Sequence, residues 1–186
     1  MARSDWIAAG FELIAAEGAA SLTIDRLAAR VQRTKGAFYH HFGGLPGYKA
    51  ALLEAFEAEY TERFIDAVEA EPGLAPREQL ERLLSLVLEG EPRAALTTQL
   101  RAWALRDPDV LRSQERVDRR RLDYLSGVCR EATGDASAAD DLARLLYAIL
   151  VGAWHVVPPL DAAQLRRLYT RALDLVVARP DHGGGG

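Results

Sequence analysis

The sequence predicts an all-α fold of about nine helices, in which a small three-helix domain precedes a larger helical domain. Apolar residues recur at helical spacing along most of the 186 residues, and runs with the alternation of β-strands are almost absent. Clusters of proline and glycine separate the helical segments at short intervals. Hydrophobic residues make up 49% of the chain, which is enough to build a substantial core.

Three short helices are indicated near the start of the chain. Ile7, Phe11 and Ile14 share one face of the first helix, which ends at Gly18. A second helix begins at a hydroxyl residue, and a third follows after a short turn, capped by Thr34. The corner between the second and third helices is typical of a helix-turn-helix DNA-binding unit. The expected core of this unit is Leu22, Leu27, Phe38 and Phe42.

The third helix has the most distinctive surface. Phe38 and Phe42 lie four residues apart, so they share its buried face. The rest of its surface carries a lysine, a tyrosine and two histidines, which suit the phosphates and base edges of DNA. The side chains expected on this surface are Lys35, Ala37, Tyr39, His40 and His41.

Residues 23–42 read TIDRLAARVQRTKGAFYHHF. This segment resembles the helix-turn-helix of the TetR family of bacterial transcriptional regulators, whose pattern is close to Thr-Ile-x-x-Leu-Ala-x-x-(small)-Gly-Val-Ser-x-Gly-x-(aromatic or Leu)-Tyr-x-His-Phe. Three positions depart from the pattern. Gln32 replaces the usual glycine of the turn, Arg33 replaces the usual valine, and Leu45 replaces a lysine that holds phosphate in many members.

The resemblance implies two kinds of DNA contact. The residues implied in contacts with the phosphate backbone are Thr23, Arg33, Thr34, Tyr39, His40 and Lys49, the last in place of the missing lysine. The residues implied at base edges in the major groove are Lys35, Gly36, Ala37 and His41.

Several of these residues also have a plainer interpretation. Tyr39 is a half-buried packing aromatic in one alternative, and Arg26, Arg30 and Arg33 simply solvate the surface in another. His40 and His41 are neighbours on a helix and point about 100° apart, so one metal ion would need ligands from elsewhere. No metal site is expected.

The distribution of charge favours the DNA-binding interpretation. Residues 21–49 contain five basic residues and one acidic residue, a balance of +4, whereas the whole chain has a net charge of −4. A basic head on an acidic body suits a protein that approaches DNA by one end.

The remaining chain reads as helices between clear breaks, the plainest of which are Asp107-Pro108-Asp109 and Pro158-Pro159. The helices are expected over 48–69, 76–89, 92–106, 109–133, 138–156 and 161–178. The predicted domains are a helix-turn-helix domain over 1–45, a helical effector-binding and dimerisation domain over 46–180, and a flexible tail over 181–186.

The last two helices carry much apolar surface. In the resembled family these helices pair with those of a second copy as a four-helix interface, and a two-fold DNA site also demands two reading helices. The interface residues implied here are Leu145, Ile149, Gly152, Leu165, Leu168 and Ala172. The alternative is that these residues fill an intramolecular core.

The middle helices enclose an effector pocket if the family pattern holds. Its candidate lining residues are Gln99, Trp103, Tyr147, Trp154 and His155. Aromatic residues at helical spacing usually pack, so each of them is also a candidate core residue. The set contains no charged cluster, which favours a small and mostly apolar effector.

Other classes of protein are less well supported by the sequence. No nucleophile, acid–base pair or phosphate loop stands out, so neither an enzyme nor a cofactor is expected. One cysteine, Cys129, excludes an internal disulfide and suits the core of a cytoplasmic protein. No signal segment or membrane span is expected.

These observations predict a ligand-responsive transcriptional regulator. Repression is the commoner role in the resembled family, so we expect a homodimeric repressor that binds a palindromic operator and is released by its effector. The alternative is a helical protein-interaction module, or a regulator without a small-molecule ligand.

Overall fold

The computed structural model describes residues 3–89 and 93–176. Every regular element in these ranges is helical, which confirms the predicted all-α class. The helices are α1 (Arg3–Glu17), α2 (Ile24–Arg30), α3 (Lys35–Phe42), α4 (Leu45–Glu57), α5 (Arg63–Glu69), α6 (Pro76–Leu88), α7 (Arg93–Ala104), α8 (Pro108–Thr133), α9 (Ala136–His155) and α10 (Ala162–Val176). A 3-10 turn (Ala19–Ser21) follows α1, and a π-helical turn (Ala58–Glu62) joins α4 to α5. Because α4, this turn and α5 are continuous, the described ranges contain nine separate helical segments, as predicted.

Side-chain oxygens set the start of several helices. The hydroxyls of Thr23 and Thr34 each accept a hydrogen bond from the backbone N–H three residues further on, at 3.3 Å. Asp107 accepts from the backbone N–H groups of Asp109 and Val110, at 2.9 and 3.3 Å, and so caps α8. The predicted cap at Thr34 is therefore confirmed.

Several helix boundaries differ from the prediction by one to three residues. Helix α4 begins at Leu45, three residues early, because Pro46 is favourable in the first turn of a helix. Helix α7 ends at Ala104 and not at residue 106. The predicted tail over 181–186 lies outside the described residues.

The chain packs into two compact units. The first unit comprises Met1–Phe64 and Gly90–Arg119, and the second comprises Ile65–Glu89 and Arg120–Gly186. Each unit has its own hydrophobic core among the described residues. This grouping places α7 and the first half of α8 with the three amino-terminal helices. The predicted boundary between residues 45 and 46 separates a DNA-binding domain from an effector-binding and dimerisation domain by function. It stays a prediction.

The core of the first unit is built around an aromatic cluster. Trp6 packs edge-on against Phe38, with ring centroids 5.4 Å apart, and Phe42 packs edge-on against Tyr48 at 5.0 Å. The hydroxyl of Tyr48 donates to the backbone carbonyl of Trp6 at 2.7 Å, and burial raises the pKa of this phenol. Gly10 permits the approach, because a Cβ there would lie 1.9 Å from the Tyr48 hydroxyl. Trp6 was not among the predicted core residues.

The core of the second unit is formed by α6, α8, α9 and α10. Leu80, Leu142, Leu146 and Leu173 are buried there. Cys129 is also fully buried, as predicted, and burial raises the pKa of its thiol to about 11. None of the described helices is long and apolar enough to cross a lipid bilayer.

Candidate DNA-binding surface and adjoining cavity

Helix α3 has one buried side and one open side. Phe38 is 0% exposed and Phe42 is 8% exposed, whereas Tyr39 is 53% exposed. The predicted division between the two sides is confirmed, except that Ala37 is only half-exposed and packs against the core. The residues of α3 that are exposed are Lys35, Gly36, Tyr39, His40 and His41.

The turn between α2 and α3 has an unusual backbone conformation. Gln32 has a φ of 54°, in the left-handed region that glycine adopts most easily. A glutamine therefore adopts this conformation at the position where the resembled pattern has glycine. Arg33 follows in an exposed position, and its backbone N–H donates to the carbonyl of Ala28 at 2.9 Å.

Most of the basic residues in the segment 21–49, whose net charge is positive, form ion pairs with carboxylates. Two arginines of α2 pair with glutamates of α1, and Lys35 pairs with Asp25 at 2.5 Å. Among the described residues, Arg33 is the one base of the five that enters no ion pair. The predicted balance of +4 therefore overstates the local charge, because the sequence window excluded the acidic residues of α1. The two pairs between α2 and α1 are Arg26–Glu17 and Arg30–Glu12.

Lys49 does not lie free at the start of α4. Its amine binds the carboxylates of Asp107 at 2.9 Å and Asp109 at 2.7 Å, and its side chain is 24% exposed. The hydrogen bonds that its amine donates to Asp109 and Asp107 raise the pKa of Lys49. Because two carboxylates already hold this amine, it is not free to bind a phosphate, contrary to the prediction for Lys49.

Asp107 is the central residue of this group, which we call the Lys49 clamp (Lys49, Asp107 and Asp109). Partial burial acts to raise the pKa of Asp107. Hydrogen bonds from Lys49 and from the backbone N–H groups of Val110 and Asp109 outweigh it and hold the pKa below its ordinary value. The clamp thus ties the first turns of α4 to the start of α8, within the first unit.

A cavity of about 720 Å³ adjoins the clamp in the first unit. Its walls come from the turn before α2, the first turns of α4, the end of α7 and the first turns of α8. Apolar side chains include Leu22, Leu53 and Trp103, and polar groups include Ser113, Arg112 and Arg116.

The five residues predicted to line an effector pocket are divided between the two units. Gln99 and Trp103 belong to the first unit, and Tyr147, Trp154 and His155 belong to the second. Of the five, Trp103 lines the cavity. Leu22, predicted to lie in the core, is only partly buried and also lines this cavity.

Helix α8 buries two polar side chains in the first unit. Ser113 is 1% exposed and Gln114 is 4% exposed. Within the described part of the chain, the hydroxyl of Ser113 and the side-chain amide of Gln114 meet no hydrogen-bond partner. Buried polar groups of this kind are costly to leave unpaired, so each requires an explanation.

The predicted dimer residues are partly accessible and partly buried. Leu145 is 44% exposed on α9 and Leu168 is 41% exposed on α10. Leu165 and Ala172 are 1% and 5% exposed, because they pack into the core of their own unit. They are therefore unavailable to a partner, contrary to the prediction for these two residues. Ile149 and Gly152 are half-exposed.

No cluster of three or more metal-ligating side chains occurs in residues 3–89 and 93–176. The geometry of α2 and α3 defines a helix-turn-helix DNA-binding protein. Residues 7–56 match the family model of bacterial regulatory proteins of the tetR family. The amino-terminal part of the chain therefore matches the DNA-binding region of the TetR family, whose members are DNA-binding transcription regulators, and the likeness supports a TetR-family regulator.

Comparisons with individual proteins agree with this assignment. The chain is 30% identical over 93 residues to the transcriptional regulator AcuR of Cereibacter sphaeroides, a match that covers 50% of this chain and 42% of that regulator. The fold is similar to that of a TetR regulator from Haloarcula marismortui, with a TM-score of 0.76, 20% identity and coverage of 94% and 97% of the two chains. A TetR-family protein from Streptomyces coelicolor gives a TM-score of 0.66 at 26% identity, covering 91% of this chain and 96% of that one.

Proposed function

We propose that this protein is a repressor that binds a palindromic operator as a homodimer and is released by a small, mostly apolar effector. One observation carries the proposal. Helix α3 exposes Tyr39, His40 and His41 on a backbone that is held in place by two buried phenylalanines and a threonine cap. Donors and acceptors at fixed positions on a short helix are what base recognition in the major groove requires.

The exposed side of α3 offers both kinds of DNA contact. We assign the hydroxyl of Tyr39, His40 and Arg33 to phosphates, and His41 to base edges. Lys35 also remains in the proposed contact set with Thr23, Thr34, Gly36 and Ala37. The carboxylate that pairs with Lys35 is 72% exposed, and an exposed pair of this kind is weak enough for a phosphate to displace.

The outward faces of α9 and α10 support the homodimer. Leu145 and Gly152 follow one another at helical spacing on the accessible side of α9, and Leu168 and Leu175 do so on α10, where Leu175 is 82% exposed. Apolar side chains next to a glycine allow two copies to approach closely and bury area. A dimer would also present two α3 helices to the two halves of a palindrome.

Release of the operator by an effector follows from the linkage between effector binding and DNA binding. An effector that prefers the conformation with low DNA affinity lowers the population of the DNA-binding conformation. A TetR-fold neighbour, EbrR, was crystallised with malachite green; it has a TM-score of 0.65, 24% identity and coverage of 91% and 96% of the two chains. We propose an effector of similarly aromatic character here, without naming the compound.

Fluorescence anisotropy with the intergenic DNA beside the gene tests the DNA-binding part of the proposal. The unlabelled competitor is a scrambled duplex of the same length, and the titration is run at two salt concentrations. Sequence-selective binding that weakens with salt is expected. His41→Ala should weaken it by about 5- to 100-fold, the range for one base contact.

The matched control is His155→Ala, because His155 is also exposed but lies at the end of α9. This variant should bind the operator as the parent protein does. Equal losses in the two variants would contradict the assignment of α3. Binding no better than to scrambled DNA at either salt would instead favour the helical interaction module.

A further inference from the structure

We infer that Arg3, at the start of α1, is a further contact with the phosphates of DNA, placed at the opposite end of α3 from Arg33. The inference rests on the proposed DNA-binding function and adds to it a residue outside the helix-turn-helix. Arg3 lies outside the match to the family model, which begins at residue 7, and outside the pattern in residues 23–42.

The side chain of Arg3 is held at the end of α3 by an aromatic ring. Its Cζ lies 5.5 Å from the centroid of the Phe42 ring, and Phe42 is the last residue of α3. A guanidinium at this distance is attracted by the electrons of the ring face. Phe42 is 8% exposed, so the ring beneath Arg3 is itself fixed in the core of the first unit.

The same ring places Arg3 next to the proposed base-reading surface. The centroid of the His41 ring lies 6.0 Å from that of the Phe42 ring. His41 is exposed on α3, and Arg3 is exposed in the first turn of α1. Because His41 is assigned to base edges, a cation beside it lies close to the phosphates that border the same groove.

Arg3 differs from most bases of the first three helices in having no carboxylate partner. The two arginines of α2 and Lys35 form ion pairs, whereas Arg3 and Arg33 enter none among the residues that the structure describes. Asp5, the nearest acidic residue in the sequence, is two positions further along α1 and therefore points to another side of the helix. A phosphate can bind Arg3 without breaking an existing ion pair.

The two unpaired arginines lie at the two ends of α3. Arg33 directly precedes the cap of this helix, and Arg3 lies beside its last residue. The eight residues of α3 span about 12 Å, at about 1.5 Å per residue. The major groove of B-DNA is also about 12 Å wide. With α3 in the groove, a cation at each of its ends therefore lies near the phosphate backbone that borders the groove.

The salt dependence of DNA binding tests this contact on the full chain. Fluorescence anisotropy between about 50 and about 200 mM salt gives the affinities of the parent protein and of Arg3→Ala for the intergenic duplex and for the scrambled duplex. The slope of log affinity against log salt should become shallower by about 0.9 for each Arg3 in the complex. Because phosphates are the same in every sequence, the affinities for both duplexes should fall by the same factor.

Two further variants make the test specific. Arg130→Ala removes the same charge from an exposed position of α8 in the second unit, and should leave the slope unchanged. Arg3→Lys keeps the charge but loses the planar group that packs on Phe42. This variant should keep the slope of the parent protein and lose less affinity than Arg3→Ala. Urea unfolding checks that each variant is folded, as expected for exposed side chains.

The possible outcomes separate this contact from the proposed function. An unchanged slope in Arg3→Ala, or an equal change in Arg3→Ala and Arg130→Ala, would overturn the contact. A fall in affinity confined to the intergenic duplex would overturn the assignment to phosphate, and so would a parent protein that binds neither duplex. If the parent protein binds both duplexes equally, the proposed operator binding fails, and the slopes on the scrambled duplex still decide the role of Arg3.

Discussion

The open face of α3 and the open faces of α9 and α10 differ in chemistry. On α3 the exposed residues are polar or polar-tipped, as with Tyr39 and His41. On α9 and α10 the exposed residues include Leu145, Leu168 and Leu175. Both kinds of face rest on well-packed cores, so the difference lies in what each face can bind. Polar groups on a rigid helix suit a polyanion with hydrogen-bonding edges, and apolar groups suit a second apolar surface.

Two substitutions in neighbouring residues of α3 separate its buried side from its open side. Phe38→Ala should lower the free energy of unfolding by about 3 to 5 kcal/mol, because the ring is fully buried among aromatic neighbours. Tyr39→Ala should change stability by less than about 1 kcal/mol and yet weaken operator binding. Urea unfolding followed by circular dichroism measures the first effect, and anisotropy measures the second.

A large loss of stability in Tyr39→Ala would restore the alternative in which this residue is a packing aromatic. A stable Phe38→Ala protein would contradict the description of the core of the first unit.

The apolar faces are tested by introducing a charge. Leu145→Glu should raise the dimer dissociation constant by about 100-fold or more, because an unpaired carboxylate inside an apolar interface costs several kcal/mol. The fold of the single chain should survive, since Leu145 is 44% exposed in it. Sedimentation velocity gives the mass of the species in solution. Leu105→Glu is the control, because Leu105 is 85% exposed and lies beyond the end of α7.

If both variants remain dimeric, the outward faces of α9 and α10 are not the interface. If both become monomeric, the effect is one of net charge and not of position.

Substitutions in the Lys49 clamp should have smaller effects than the substitutions on α3 or on the outward faces of α9 and α10. Asp107→Ala removes a helix cap and a partly buried ion pair, and should cost about 2 kcal/mol. Asp107→Asn retains an oxygen that can cap α8 and should cost about half as much. Thermal unfolding at neutral pH compares the two variants. Equal stability of Asp107→Asn and Asp107→Ala would mean that the cap contributes nothing.

The same clamp predicts a dependence on pH. The pKa of Asp107 is lower in the folded protein, so its contribution is present above the unfolded pKa of about 3.9 and is lost as pH falls through the folded pKa. The pKa of Lys49 is raised, so its contribution is present below the unfolded pKa of about 10.4 and is lost at higher pH. The stability difference between the parent protein and Asp107→Asn should therefore persist from about pH 4 to about pH 10.4 and shrink outside that window.

The smallest predicted effect is at the turn between α2 and α3. Gln32→Gly should raise the free energy of unfolding by about 1 kcal/mol, because glycine adopts the observed φ of 54° without strain. Urea unfolding of the two proteins measures this difference. Destabilisation by glycine would mean that the glutamine side chain contributes more than its backbone conformation costs.

The helices and the two sides of α3 were predictable because they depend on local signals. Caps such as Thr34, and apolar residues spaced three and four apart, specify a helix and its buried side within a few residues. The spacing that placed Phe38 and Phe42 on one side of α3 needed no knowledge of the rest of the fold.

The features that the sequence did not predict depend on distant contacts. Ser113 lies in a largely polar helix, and its burial results from packing against segments remote in the chain. The clamp joins residues 58 and 60 positions apart. Leu165 and Ala172 follow the same helical spacing as interface residues, and only their packing against α9 distinguishes core from surface.

The central claim is that the polar face of α3 and the apolar faces of α9 and α10 act together on DNA. The most direct test compares the affinity of the parent protein and of monomeric Leu145→Glu for the intact palindromic operator and for one isolated half of it. The parent protein should bind the palindrome at least about 100-fold more tightly than the half-site, because the second contact is then intramolecular. Leu145→Glu should bind both duplexes weakly and equally. A monomeric variant that binds the palindrome as tightly as the parent protein would contradict the account.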